Sequence, residues 1–108
     1  MTRTVKQLFD LTGQTALVTG GSRGLGLQMA HALGEAGARV MLSSRKASDL
    51  EEAVAELKAS GIEADYIAAD CGQEEDIRRL ARETVQKLGR IDILLNNAGA
   101  SWGAAAEV

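Results

Sequence analysis

At 108 residues, 45% hydrophobic and 25% charged, the chain has room for one small domain and the composition of a globular protein rather than a disordered one. A net charge of −3 with scattered lysines and arginines argues against nucleic acid or an acidic membrane as partner. The opening MTRTVKQLFDLTGQ lacks a signal-peptide core and no apolar run nears the ~20 residues of a membrane span, so a soluble, cytoplasmic protein is expected.

The predicted elements alternate. Residues 15–19 form a short β-rich run bounded by glycines, a buried strand. Residues 25–36 read as a helix with Leu25, Met29, Leu33 and Ala36 on one stripe and Gly37 as its stop. RVMLS at 39–43 is a second strand. Ser48 with Glu51 three residues on reads as a capping box, opening a helix with Leu50, Ala53, Val54 and Leu57 inside and Gly61 at its end. A third strand covers about 64–69. A third helix covers 74–88, with Ile77, Leu80, Ala81, Val85 and Leu88 at helical spacing and Gly89 as stop. On it Arg78, Arg79 and Arg82 alternate with Glu74, Glu75, Asp76 and Glu83, the pattern of a solvated face. IDILLNN at 91–97 is the fourth strand. The order β-α-β-α-β-α-β predicts a parallel sheet covered on both faces.

TGGSRGLG, residues 19–26, lies between the first strand and first helix, where an open parallel sheet binds ligands. Gly20 permits a tight turn, Gly24 lets a diphosphate approach the backbone, and Gly26 lets the helix pack against the sheet. The helix N-terminus then offers N–H groups and a positive dipole end to phosphate. No Gly-Lys-Ser/Thr follows, so the turn is not a P-loop. The competing reading is a turn that only connects two elements.

A site for NAD usually places a carboxylate about 20 residues beyond the glycines, at the tip of the second strand. Here that tip reads Ser43, Ser44, Arg45, Lys46. Hydroxyls and cations suit a 2′-phosphate, hence NADP(H), and Arg23 in the glycine turn is placed to reach the same group. A solvated loop before a helix is the alternative for Arg45 and Lys46. The single cysteine, Cys71, closes no intrachain disulfide and suits a reducing compartment. Its acidic neighbours disfavour a thiolate, so a pocket-lining or buried thiol is expected. His31, the only histidine, sits beside apolar residues of the first helix and reads as a surface or satisfied side chain. No metal site is expected.

TGGSRGLG after the first strand, AADC (68–71) ending the third and NNAG (96–99) ending the fourth together resemble the short-chain dehydrogenase/reductase family, as does FDLTGQTALVTG before them. The resemblance implies a Rossmann-type doubly wound sheet, here a half with strand order 3-2-1-4. It implies cofactor contacts at Ser22, Arg23 and Leu25. Asp70 would accept from the adenine amino group, with Cys71 beside the ring. Asn97, Ala98 and Gly99 would line the ribose and nicotinamide side, while Thr19 and Asn96 tie strands together. Without the other motifs, Asn96 and Asn97 would read as a strand-end turn. Trp102 borders the cleft or covers apolar surface.

In that family catalysis uses a Ser, a Tyr-x-x-x-Lys pair and a helix Asn, all beyond the NNAG strand. The only tyrosine, Tyr66, has Asp70 four residues on, so no catalytic residue carries over. The chain, 1–108, reads as the N-terminal, cofactor-binding part of an oxidoreductase moving hydride between nicotinamide and a carbonyl or alcohol. The full-length protein is expected to be a homo-oligomer. A non-catalytic nucleotide-binding or interaction module is the alternative. NNAG followed by ASWG resembles reductases of sugar acids and of 3-oxoacyl chains. Ile91, Ile93, Leu94 and Leu95 are expected to form an exposed apolar edge.

Overall fold

The computed structural model describes residues 10–20, 22 and 24–97. Gly21, Arg23, Ala98, Gly99 and Trp102, singled out in the sequence, lie outside the described residues. The elements are β1 (Thr15–Thr19), α1 (Gly24–Glu35), β2 (Arg39–Ser44), α2 (Ala47–Ala59), β3 (Ala64–Ala68), α3 (Glu74–Leu88) and β4 (Ile93–Asn96). All strand pairs are parallel, in the order β3-β2-β1-β4. Thr19 of β1 stands opposite both Ser43 of β2 and Asn96 of β4, so these three strands end flush.

Alternation of side chains across the sheet divides the core in two. On one face Val18, Val40 and Leu42 meet Ala30 of α1 and Leu50, Ala53, Val54 and Leu57 of α2. On the other, Leu17, Met41, Ile67 and Ala69 meet Leu80 of α3. Met41, Leu42, Leu50 and Leu57 are fully buried, and each such side chain contributes about 1.5–3 kcal/mol. The expected glycine stops follow all three helices, at φ 110° for Gly37, 82° for Gly61 and 88° for Gly89.

Boundaries shift by one residue from the sequence reading at α1, at the end of β2 and at the end of β3, and two further differences are larger. The capping box is not made: α2 begins at Ala47 behind Lys46, which gives no side-chain cap. Ser48 falls inside the helix because β2 runs on to Ser44. Glu51 instead accepts a hydrogen bond of 2.9 Å from the Tyr66 hydroxyl on β3, which raises the tyrosine pKa. The fourth strand is four residues rather than seven. Its one strand neighbour among the described residues is β1, whose first N–H, at Thr15, is taken at 2.9 Å by the Asp92 carboxylate. Among the described residues β4 is a sheet edge, and Leu94 on it is 63% exposed.

Asp92 also accepts from Arg90 Nε at 2.8 Å. The Thr15 N–H, offset in part by burial, and then Arg90 hold its pKa below the ordinary value of 3.8. A depressed carboxylate stabilises the fold above its unfolded pKa, and the contribution is lost as pH falls through the folded one. Asp92→Ala should therefore lower the melting temperature at pH 7, with the difference from wild type shrinking below about pH 4. Thermal melts of both proteins across that range check it; a difference independent of pH would show that the charge is not what stabilises.

Candidate cofactor site at the strand ends

The chain winds from β1 outward through β2 to β3, then crosses back to place β4 on the other side of β1. The reversal lies between β1 and β4, where open α/β sheets bind ligands at the strand C-termini. Here Thr19 Oγ1 donates to Asn96 Oδ1 at 2.9 Å, and the Asn97 N–H meets Thr19 Oγ1 at 3.1 Å. These bonds join the two diverging strands, as expected for Thr19 and Asn96.

Gly20 takes φ 68° as the chain leaves β1, while its N–H still donates to Ser43 O at 2.7 Å. Gly24 opens α1 at φ 62°, and a Cβ there would meet nothing within 4 Å. Gly26 is the point of contact: a Cβ on it would stand 2.2 Å from the Gly20 carbonyl oxygen. So the helix backbone rests directly on the turn, and the open side of Gly24 remains for a ligand. The first turn of α1 carries no acidic residue to oppose an anion.

A cleft of about 620 Å³ opens beside this turn. Its polar end is lined by Thr19, Gly20, Ser44, Arg45, Asp70, Cys71, Gly72 and Asn96. Five of the expected site residues, Gly20, Ser44, Arg45, Asp70 and Cys71, are thereby brought together. Among the described residues the buried Ser44 hydroxyl oxygen has no hydrogen-bond partner. Ser22 is half-buried in the turn, Leu25 is exposed, and Lys46 is exposed behind Arg45. Asn97 is half-buried, with Nδ2 3.5 Å from Gly20 O. The other end of the cleft is a trough of Leu17, Ile77, Leu80, Ala81, Ile91 and Leu94, where α3 leaves β1 and β4 uncovered. Only the polar end lies at the strand tips, so the full volume exceeds what a ligand there would fill.

The Asp70 carboxylate accepts the Gly72 N–H at 2.9 Å, closing a tight loop after β3. Burial, then Asp70 and Asp76, push the Cys71 thiol pKa up, so it is a protonated lining group at neutral pH, as expected. His31 does not line the cleft; its Nε2 lies 2.7 Å from Glu56 Oε2 and links α1 to α2. Gly72 was not singled out in the sequence, though its place two residues beyond Asp70 is the signal for such a turn. Asp76 and Arg79 were read as solvated face and in fact bond to the loop backbone. Among the described residues no helix is long and apolar enough to cross a membrane, and no three His, Cys, Asp or Glu side chains cluster as a metal site.

Sheet order, glycine turn and switch point define a Rossmann-type fold. The family model for short chain dehydrogenase matches residues 14–108. The rhamnolipids biosynthesis 3-oxoacyl-(acyl-carrier-protein) reductase of Pseudomonas aeruginosa is 48% identical over 99 residues, which are 92% of this chain and 38% of that protein. Among solved structures, the RhlG/NADP active-site complex of Pseudomonas aeruginosa matches with a TM-score of 0.75 and 44% identity, over 80% of this chain and 33% of that one. A metagenomic short-chain oxidoreductase in complex with NADP matches with a TM-score of 0.75 and 40% identity, over 79% of this chain and 38% of that one. The chain belongs to the short-chain dehydrogenase family. It spans about a third of the length of these relatives.

Proposed function

We propose that residues 1–108 are the NADP(H)-binding part of an oxidoreductase that moves hydride between nicotinamide and a carbonyl or alcohol. The observation that carries this is the meeting, in one cleft, of the glycine turn with Ser44 and Arg45 at the tip of β2. The residues fit a dinucleotide phosphate. Gly24 leaves open space at a helix N-terminus for the diphosphate. The Ser44 hydroxyl has no partner among the described residues, and Arg45 and Lys46 supply positive charge where an NAD site would place a carboxylate. The first N–H groups of α2, which begins just there, have no side-chain cap and suit the same anion. Gly20, Ser22, Arg23, Leu25 and Gly26 would shape the diphosphate turn. Asp70 and Cys71 would border the adenine, and Asn97, Ala98 and Gly99 the ribose and nicotinamide side.

When bound, the nicotinamide supplies the hydride. This chain's own residues bind and orient it: Thr19 and Asn96 fix the spacing of β1 and β4, and the turn sets the diphosphate against α1. The 48% identity to a 3-oxoacyl reductase favours a 3-oxoacyl carbonyl as the substrate class.

NADPH is expected to bind more tightly than NADH. Arg45→Ala should weaken NADPH by about 1–3 kcal/mol, the worth of a charge-assisted hydrogen bond, and leave NADH nearly unchanged. Calorimetric titration of both cofactors into both proteins is the test. Equal wild-type affinities would remove the 2′-phosphate from this reading.

A further inference from the structure

We infer that Asp76 and Arg79 of α3 are positioning residues for the adenine side of the cleft, acting on the backbone of the loop that carries Asp70 and Cys71. This rests on the cofactor reading above. Among the described residues β3 is the outer strand of the sheet, with β2 as its one neighbour. At its C-terminal end the Ala69 N–H turns inward and donates to Ser44 O on β2 at 2.9 Å. By the alternation of a strand, the Ala68 carbonyl and the Asp70 N–H then turn outward, away from β2 and from the described sheet. Side chains of α3 complete both. Asp76 Oδ2 accepts the Asp70 N–H at 2.8 Å, and Arg79 Nη2 donates to Ala68 O at 2.9 Å. The polarities match: an anion meets the N–H and a cation meets the carbonyl.

The two side chains also support one another, with Arg79 Nη2 3.7 Å from Asp76 Oδ1 and Arg79 Nη1 3.5 Å from Glu83 Oε2. Each is about one-third exposed, at 34% for Asp76 and 35% for Arg79. Their spacing of three residues puts both on one side of the first turns of α3, facing the loop. The loop's inner bonds are the Gly72 N–H to Asp70 Oδ1 and the Gln73 N–H to Asp70 O, both 2.9 Å, and both hinge on Asp70 itself. Asp70 thus gathers three bonds: Gln73, the N-cap of α3, holds its carbonyl to that helix, and Asp76 holds its N–H to the helix's first turn. Neither α3 residue lines the cleft, so their effect on a nucleotide runs through Asp70.

The readout is adenine recognition rather than stability. NADPH and its hypoxanthine analogue, which lacks the adenine amino group, are titrated into wild type, Asp76→Ala, Asp76→Asn and Arg79→Ala. Wild type should prefer NADPH by about tenfold, the worth of one hydrogen bond to a carboxylate. Asp76→Ala should bring that ratio to within about twofold of unity, since the bond that sets Asp70 is gone. Asp76→Asn should restore it, because a carboxamide oxygen still accepts the Asp70 N–H. Arg79→Ala should lower the ratio in the same direction, and serves as the deciding variant should Asp76→Ala fail to fold. A preference kept in folded Asp76→Ala, or in Arg79→Ala in its place, overturns the inference while leaving the cofactor reading intact. A wild type that binds neither nucleotide overturns the cofactor reading; one that binds both equally removes the Asp70 contact and this inference with it.

Discussion

Gly26→Ala is expected to destabilise the protein by about 3 kcal/mol and to weaken NADPH binding by at least roughly tenfold. The added methyl would sit 2.2 Å from the Gly20 carbonyl oxygen, 3.0 Å from its carbon and 2.9 Å from Asn97 Nδ2. A comfortable contact needs about 3.5 Å, so something must move by roughly 1 Å. The turn cannot yield easily. Gly20 is held to β2 through its N–H at 2.7 Å, and Asn97 is held to β1 through Thr19. The helix must therefore retreat, lifting Ala30 and its neighbours Leu27 and Leu33 from the core they share with Val18 and Val40. Stability and binding fall together because one contact both packs α1 and aims its N-terminus. Urea denaturation and NADPH titration of the same preparation check both. A wild-type midpoint would mean that α1 does not rest on the turn in solution.

Strand and helix positions were legible because period and punctuation agree in this chain. β1 and α3 fall on the residues that their apolar patterns mark, and each helix stops at the glycine expected. The glycine turn was legible for a chemical reason: no residue with a Cβ fits at 26, and φ at 20 and 24 is positive. What failed was local capping chemistry. Ser48 and Glu51 have the right spacing, but the choice between a cap and Tyr66 as partner for Glu51 is made by β3, distant in sequence. The charges of α3 failed in the same way. Asp76 and Arg79 look like any other members of an alternating solvated face. Only the outer position of β3 turns them toward two unpaired backbone groups. The joining of β1 to β4 through Thr19 and Asn96 came from the family resemblance, since a strand-end turn explains two asparagines equally well when read alone.

Gly24→Val separates binding from folding, which Gly26→Ala cannot. Among the described residues no atom lies within 4 Å of a Cβ added at Gly24, so the substitution opens with no steric clash at that carbon. The penalty is conformational. At φ 62° a side chain costs about 1–2 kcal/mol, and a β-branched one stands at the upper end. The protein should therefore lose about 2 kcal/mol but keep its helices and sheet. Binding should fall far more, by about a hundredfold or 2.7 kcal/mol, because the two methyl groups occupy the open side of the turn where a diphosphate would meet the N–H groups of α1. Gly24→Asn provides the control for strain. Asparagine enters the left-handed region at small cost, so its stability should lie close to wild type while its side chain still fills the approach. Denaturation midpoints should then rank wild type, Asn, Val, whereas NADPH affinity should be low in both variants. If affinity instead followed stability, with Asn binding like wild type, the turn would act through its shape alone and the diphosphate would lie elsewhere in the cleft.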